Sequence, residues 1–75
     1  MILKVDSYDG YSGEQKPRAF VLGDRRLLIT EIVDRWLSTG HSYFKVRTDD
    51  AATWILRHDG NTGHWELILF QASQK

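Results

Sequence analysis

Cysteine is absent from the 75 residues, which excludes a disulfide framework, a thiolate metal site and a thiol nucleophile. An excess of charge is lacking too. Ten Lys and Arg balance ten Asp and Glu, so the basic footprint of a general DNA binder is missing and steering toward a polyanion is weak. No apolar run approaches the ~20 residues that a membrane-crossing helix needs, and no charged segment leads into an apolar stretch at the start of the chain. These absences predict a cytoplasmic protein without a membrane span. The balanced charge also leaves little repulsion between copies, so a weak homodimer is compatible with it.

Aromatic residues are plentiful by contrast, with three each of Trp, Tyr and Phe. A chain this short buries only about 60% of the surface its unfolded form exposes, so a few large side chains must supply the core. Trp36, Trp54 and Trp65 are the expected anchors. One domain is predicted over residues 1–75: an N-terminal strand and loop over 1–16, a sheet core over 17–70 and a loose tail over 71–75.

Apolar residues recur with the period of strands. Residues 1–5 read as a short strand, and the Ser, Gly, Asp and Tyr of 6–16 as a long loop. Pro17 fixes its own φ and favours an extended Lys16, which suits entry into a strand over 18–22. Phe44 and Val46 alternate against Tyr43, Lys45 and Arg47. Trp54 and Leu56 alternate against Thr53, Ile55 and Arg57, and Trp65, Leu67 and Leu69 against Glu66, Ile68 and Phe70. The turns Gly23-Asp24, Asp49-Asp50 and residues 59–63 separate these runs.

The stretch 27–37 is ambiguous, because Leu28, Ile29, Ile32, Val33, Trp36 and Leu37 sit at helical spacing. Its β-branched content, the tight turn behind it and the lack of a helix cap favour a strand carrying a β-bulge near Glu31. The expected fold is all-β, a small antiparallel meander of five or six strands curled into a sheet or open barrel; α+β with 27–37 helical is the alternative.

Five short motifs in order carry a resemblance: Tyr11-Ser12-Gly13, Pro17-Arg18 with Phe20, Ile32-Val33-Asp34-Arg35-Trp36, Tyr43-Phe44-Lys45-Val46-Arg47, and the closing hairpin around Trp65. Together they span about residues 11–70, and in this the chain resembles a family of small bacterial proteins to which no function is assigned. Val46-Arg47-Thr48-Asp49 and the Trp-containing strand are also similar to a C-terminal piece of translesion-polymerase-like proteins of the Y family. The first resemblance implies no catalytic residues, and the second implies a link to DNA repair or replication.

On the polar side of adjacent strands, Tyr43, Lys45, Arg47 and Arg57 form a candidate patch where a nucleotide base could stack and a phosphate could pair. Cross-strand pairing of those cations with Asp and Glu is the plainer reading. Tyr8 and Tyr11 mark the long loop either as a lid over the core or as a recognition element. His41, His58 and His64 lack the spacing of metal ligands, so no metal and no cofactor are expected. Ser12 lacks the strand–turn–helix setting of a nucleophile, and the Asp residues fall in turn-prone positions. These features predict a non-enzymatic binding module that docks onto a protein partner through a sheet edge or the 8–16 loop. The alternative is a single-stranded nucleic-acid binder using the Tyr43 patch.

Overall fold

The structure, a computed structural model, describes residues 2–9 and 15–71. Six antiparallel strands follow one another around a closed barrel: β1 (Ile2–Asp9), β2 (Gln15–Leu22), β3 (Arg25–Ser38), β4 (His41–Thr48), β5 (Thr53–Asp59) and β6 (Trp65–Gln71). No helix occurs among the described residues, so none crosses a membrane.

Residues 27–37 are therefore strand, and the helical alternative is overturned. The helical spacing comes from two register shifts against β4, one between Ile29 and Glu31 and one between Ile32 and Asp34. Each inserts a residue and moves the following side chains to the other face. The first is the bulge expected near Glu31. The second reverses the phase again, placing Arg35 opposite buried Phe44 and turning Trp36 outward to face Tyr43.

Trp54 and Trp65 are buried at 4% and 5% exposure, but Trp36 is 39% exposed and is not a core residue. A third register shift, in the β5–β6 ladder, pairs Leu56 with Leu67 and Ile55 with Leu69, leaving Ile68 as the extra residue. Phe70 instead of Leu69 thus meets Trp54, with ring centroids 4.4 Å apart.

The loop expected over 6–16 is shorter than its composition suggests. β1 continues to Asp9 and β2 begins at Gln15, with Ser7 opposite Pro17 and Tyr8 opposite Lys16. The Ser7 hydroxyl donates to Gln15 Oε1 across the pair at 2.7 Å. Tyr8 is a strand residue, while Tyr11 and Ser12 lie outside the described residues. The tail expected over 71–75 begins with Gln71, the last residue of β6; residues 72–75 lie outside the described residues as well.

Leu3, Phe20, Leu27, Phe44, Val46, Ala52, Trp54, Leu56 and Trp65 make up the core. Trp54 meets Phe20 edge to face at 5.0 Å, and Phe44 meets Trp65 at 5.5 Å. Beyond the area they bury, such aromatic pairs stabilise by about 0.5–1.5 kcal/mol each.

A polar chain seals the end of the barrel beside this core. The Trp54 indole Nε1–H donates to Thr48 Oγ1 at 2.8 Å, and the Thr48 hydroxyl donates to Asp50 Oδ1. The same carboxylate oxygen accepts the Ala52 amide at 3.2 Å. Ala51 between them holds a left-handed φ of 65°, unusual for a residue with a Cβ, while its amide donates to the Thr48 carbonyl at 2.9 Å. The Thr48 hydroxyl holds the Asp50 carboxyl below its ordinary pKa; the Ala52 amide and Arg25, 3.7 Å away, act in the same direction against the effect of burial.

Thr48→Val keeps the side chain's shape but leaves the buried Trp54 N–H without an acceptor. It should cost about 1–3 kcal/mol, read from the urea midpoint by tryptophan fluorescence, while Thr48→Ser retains most of the stability. An unchanged midpoint in Thr48→Val would remove this chain from the account of the fold. Because the folded-state pKa of Asp50 lies below its unfolded value of 3.8, its contribution is present above pH 3.8 and is lost as the pH falls further.

Candidate functional site

Barrel closure is uneven, and the unevenness creates a cleft. β2 and β3 are paired over only four positions, from Leu22 opposite Arg25 to Ala19 opposite Leu28. Past that point β2 stays with β1, while β3 bends away with β4. The gap is a cleft of about 480 Å³ lined by Tyr8, Pro17, Arg18, Ile29, Thr30, Glu31 and Ile32. Pro17 is fully buried, and Ile29 and Ile32 pack on the core. The floor is thus apolar. Each wall is a strand edge with no partner strand on the cleft side among the described residues.

Charge in the cleft is not balanced. Glu31 is bound by Arg47 of β4 at 3.3 Å, so its carboxylate already has a counter-ion. The Arg18 guanidinium carbon sits 5.0 Å over the Tyr8 ring, a cation–π contact, and among the described residues no carboxylate pairs with it. Thr30 spends its hydroxyl on the Arg47 carbonyl at 3.2 Å.

The Tyr43 patch lies on the outer face of β3, β4, β5 and β6. One row across these strands reads Trp36, Tyr43, Arg57 and Glu66; the next reads Asp34, Lys45, Ile55 and Leu69; a third reads Glu31, Arg47, Thr53 and Gln71. The structure therefore brings Tyr43 and Arg57 side by side and places Lys45 and Arg47 one and two rows along. Trp36 and Tyr43 stack with parallel rings, centroids 5.5 Å apart. Arg57 donates to Glu66 Oε1, and that bond, followed by the Tyr43 hydroxyl, raises the Arg57 pKa; the same bond lowers that of Glu66. Arg57 Nε is sealed from solvent without a hydrogen-bond partner. Two of the three cations are thus held by carboxylates, which is the cross-strand pairing weighed from the sequence.

Tyr8 belongs to the β2–β3 cleft, apart from this patch. Sequence reasoning missed Arg18, Glu31 and Ile32 as cleft residues. Pro17 was the available signal, since a proline cannot donate to a ladder and marks an edge.

The histidines do not converge. His41 Nε2 lies 3.6 Å from Asp59, whose Oδ1 also accepts the Asn61 and Thr62 amides, and His58 packs on Trp65 at 4.5 Å. Among the described residues no three His, Cys, Asp or Glu side chains group as a metal would require. Asp59 is held below its ordinary pKa first by the Asn61 amide and then by that of Thr62, consistent with a turn-stabilising carboxylate.

Burial against Trp65 lowers the His58 pKa below the ordinary 6.5, so the neutral ring is favoured in the folded state. The unfolded chain then binds the proton more readily, and the His58 contribution declines as the pH drops below 6.5. NMR titration should place the His58 midpoint under 6.5, and His58→Phe should flatten the dependence of stability on pH between about 6.5 and 5. A midpoint at or above 6.5 would contradict the burial argument. Compared with family models, with curated proteins and with solved structures, the chain finds no match.

Proposed function

We propose that this barrel is a non-enzymatic docking module whose β2–β3 cleft receives an extended segment of a partner protein. One observation carries the reading: two strand edges face each other across an apolar floor, open along the stretch where the ladder stops after Ala19 and Leu28. An extended peptide entering such a gap completes the interrupted hydrogen bonding, and its alternate side chains reach Pro17, Ile29 and Ile32. With Glu31 satisfied by Arg47 and Arg18 held, among the described residues, by the Tyr8 ring, the unmatched charge there is positive. The segment that fits has apolar side chains on one face and an acidic one near Arg18.

Peptide display with a random extended library, followed by NMR mapping of the selected sequences, tests this. Enriched peptides should combine alternating apolar residues with Asp or Glu and perturb Tyr8, Arg18 and residues 29–32. Arg18→Glu, on the surface, should weaken them about tenfold or more without changing the unfolding midpoint. A selection that enriches nothing, or peptides that map away from the cleft, would defeat the reading.

A second reading, binding of single-stranded nucleic acid, is favoured by the parallel Trp36–Tyr43 stack on the outer face beside Lys45. Aromatic platforms of this kind take bases at about 1–3 kcal/mol each. The engaged state of Arg47 and Arg57 weighs against it. Titration of a labelled oligothymidylate at two salt concentrations should show salt-sensitive binding that Tyr43→Ala abolishes; a flat titration disposes of this reading.

A further inference from the structure

The second weak seam lies two strands from the cleft around the ring, on the far side of the β1–β2 hairpin. Between β1 and β6 only two pairs are made, Ile2 with Glu66 and Leu3 with Trp65. Along residues 68–71 the outer edge of β6 has no strand partner among the described residues. Ile68, Leu69 and Phe70 are 45%, 51% and 51% exposed, and Ile2 at the border of the seam is 66% exposed.

Natural sheet edges of this kind are usually protected by Lys, Pro or an inward charge. Residues 67–71 read Leu-Ile-Leu-Phe-Gln, with no charge and no proline. The nearest charge on the strand, Glu66, is bound to Arg57.

We infer that two copies of the chain associate edge to edge through the last four residues of β6. Complementarity selects the occupant. A neutral apolar edge offers nothing to a charged strand, whereas an antiparallel second copy sets apolar side chains against apolar ones with no like-charge contact. Identical strands related by a two-fold axis at Leu69 set the two Leu69 side chains across the axis and Ile68 against Phe70, satisfying each other's N–H and C=O groups, and the contact closes because each copy offers one such apolar edge among the described residues. The chain's formal net charge of zero adds no long-range repulsion.

Only three or four residues per copy take part, so the buried area falls well below the ~1,200 Å² of a stable interface. The dimer is correspondingly weak, with a Kd of roughly 10 µM to 1 mM. The inference is independent of the proposed docking function, because no residue of β6 lines the β2–β3 cleft.

Sedimentation equilibrium of the full chain between about 10 µM and 1 mM provides the test. The average mass should climb with concentration toward twice the monomer mass and no further. Leu69→Lys places two ammonium groups across the axis and should hold the protein at the monomer mass, with an unchanged urea midpoint. Mixing Leu69→Lys with Leu69→Asp should restore association, which general surface damage would not do. A mass that stays monomeric throughout, one that grows beyond two copies, or association that persists in Leu69→Lys overturns the inference.

Discussion

The chain of hydrogen bonds from Trp54 through Thr48 to Asp50 is the constraint on which the barrel turns. Trp54 is the only aromatic residue in ring contact with both Phe20 of β2 and Phe70 of β6 among the described residues, so it links strands from opposite sides of the core. An indole ring of that size must bring its N–H inside, and a buried N–H requires an acceptor. Thr48 supplies one and donates its own hydroxyl hydrogen bond to Asp50, which in turn accepts from the Ala52 amide beside the left-handed Ala51. The β4–β5 turn is therefore shaped by the needs of the core as much as by its own residues. In a domain with no cysteine, and with Thr48 the one buried polar residue among those described, this satisfied network ties the β4–β5 turn to the core.

The three register shifts on β3 and β6 follow from the same economy of size. Six short strands can close around so small a core only if some bend sharply, and a bulge supplies bend and twist together. Bending also limits pairing. β3 leaves β2 where its first bulge begins, and β6 outruns β1 past Glu66. The cleft and the open edge are thus geometric products of closure, placed on either side of the β1–β2 hairpin. Ion pairs cover the strongly paired outer face between them, where Arg47 meets Glu31 and Arg57 meets Glu66. The cleft floor and the β6 edge, by contrast, are apolar.

Alternation made the well-paired part of this architecture legible in advance. Phe44, Val46, Trp54 and Leu56 stand at every second position and all point inward, so β4 and β5 could be read with their faces correct. A meander of five or six strands, six in the structure, and the bulge near Glu31 also follow from pattern and turn chemistry. Trp36 could not be placed, because the second insertion on β3 acts two residues before it and a single extra residue imitates helical spacing. Tyr8 was hidden for a different reason: its neighbours favour turns, and only pairing with Lys16 across the hairpin makes it a strand residue. The cleft was illegible because it is a missing interaction between Gln15 to Arg18 and the middle of β3, and no local pattern records where a ladder stops.

The uneven ladders also divide the molecule mechanically. β3, β4, β5 and β6 are joined by long continuous pairings, and β1 is likewise joined to β2, but the two groups meet through four pairs on one side and two on the other. Local opening is easiest where the fewest hydrogen bonds and contacts must break. The N-terminal hairpin is therefore the part of the ring held by the fewest ladder pairs, and a segment bridging β2 to β3 would add bonds where they are scarce. Any contact made across either seam would thus stiffen the ring more than the same contact within the four-strand body.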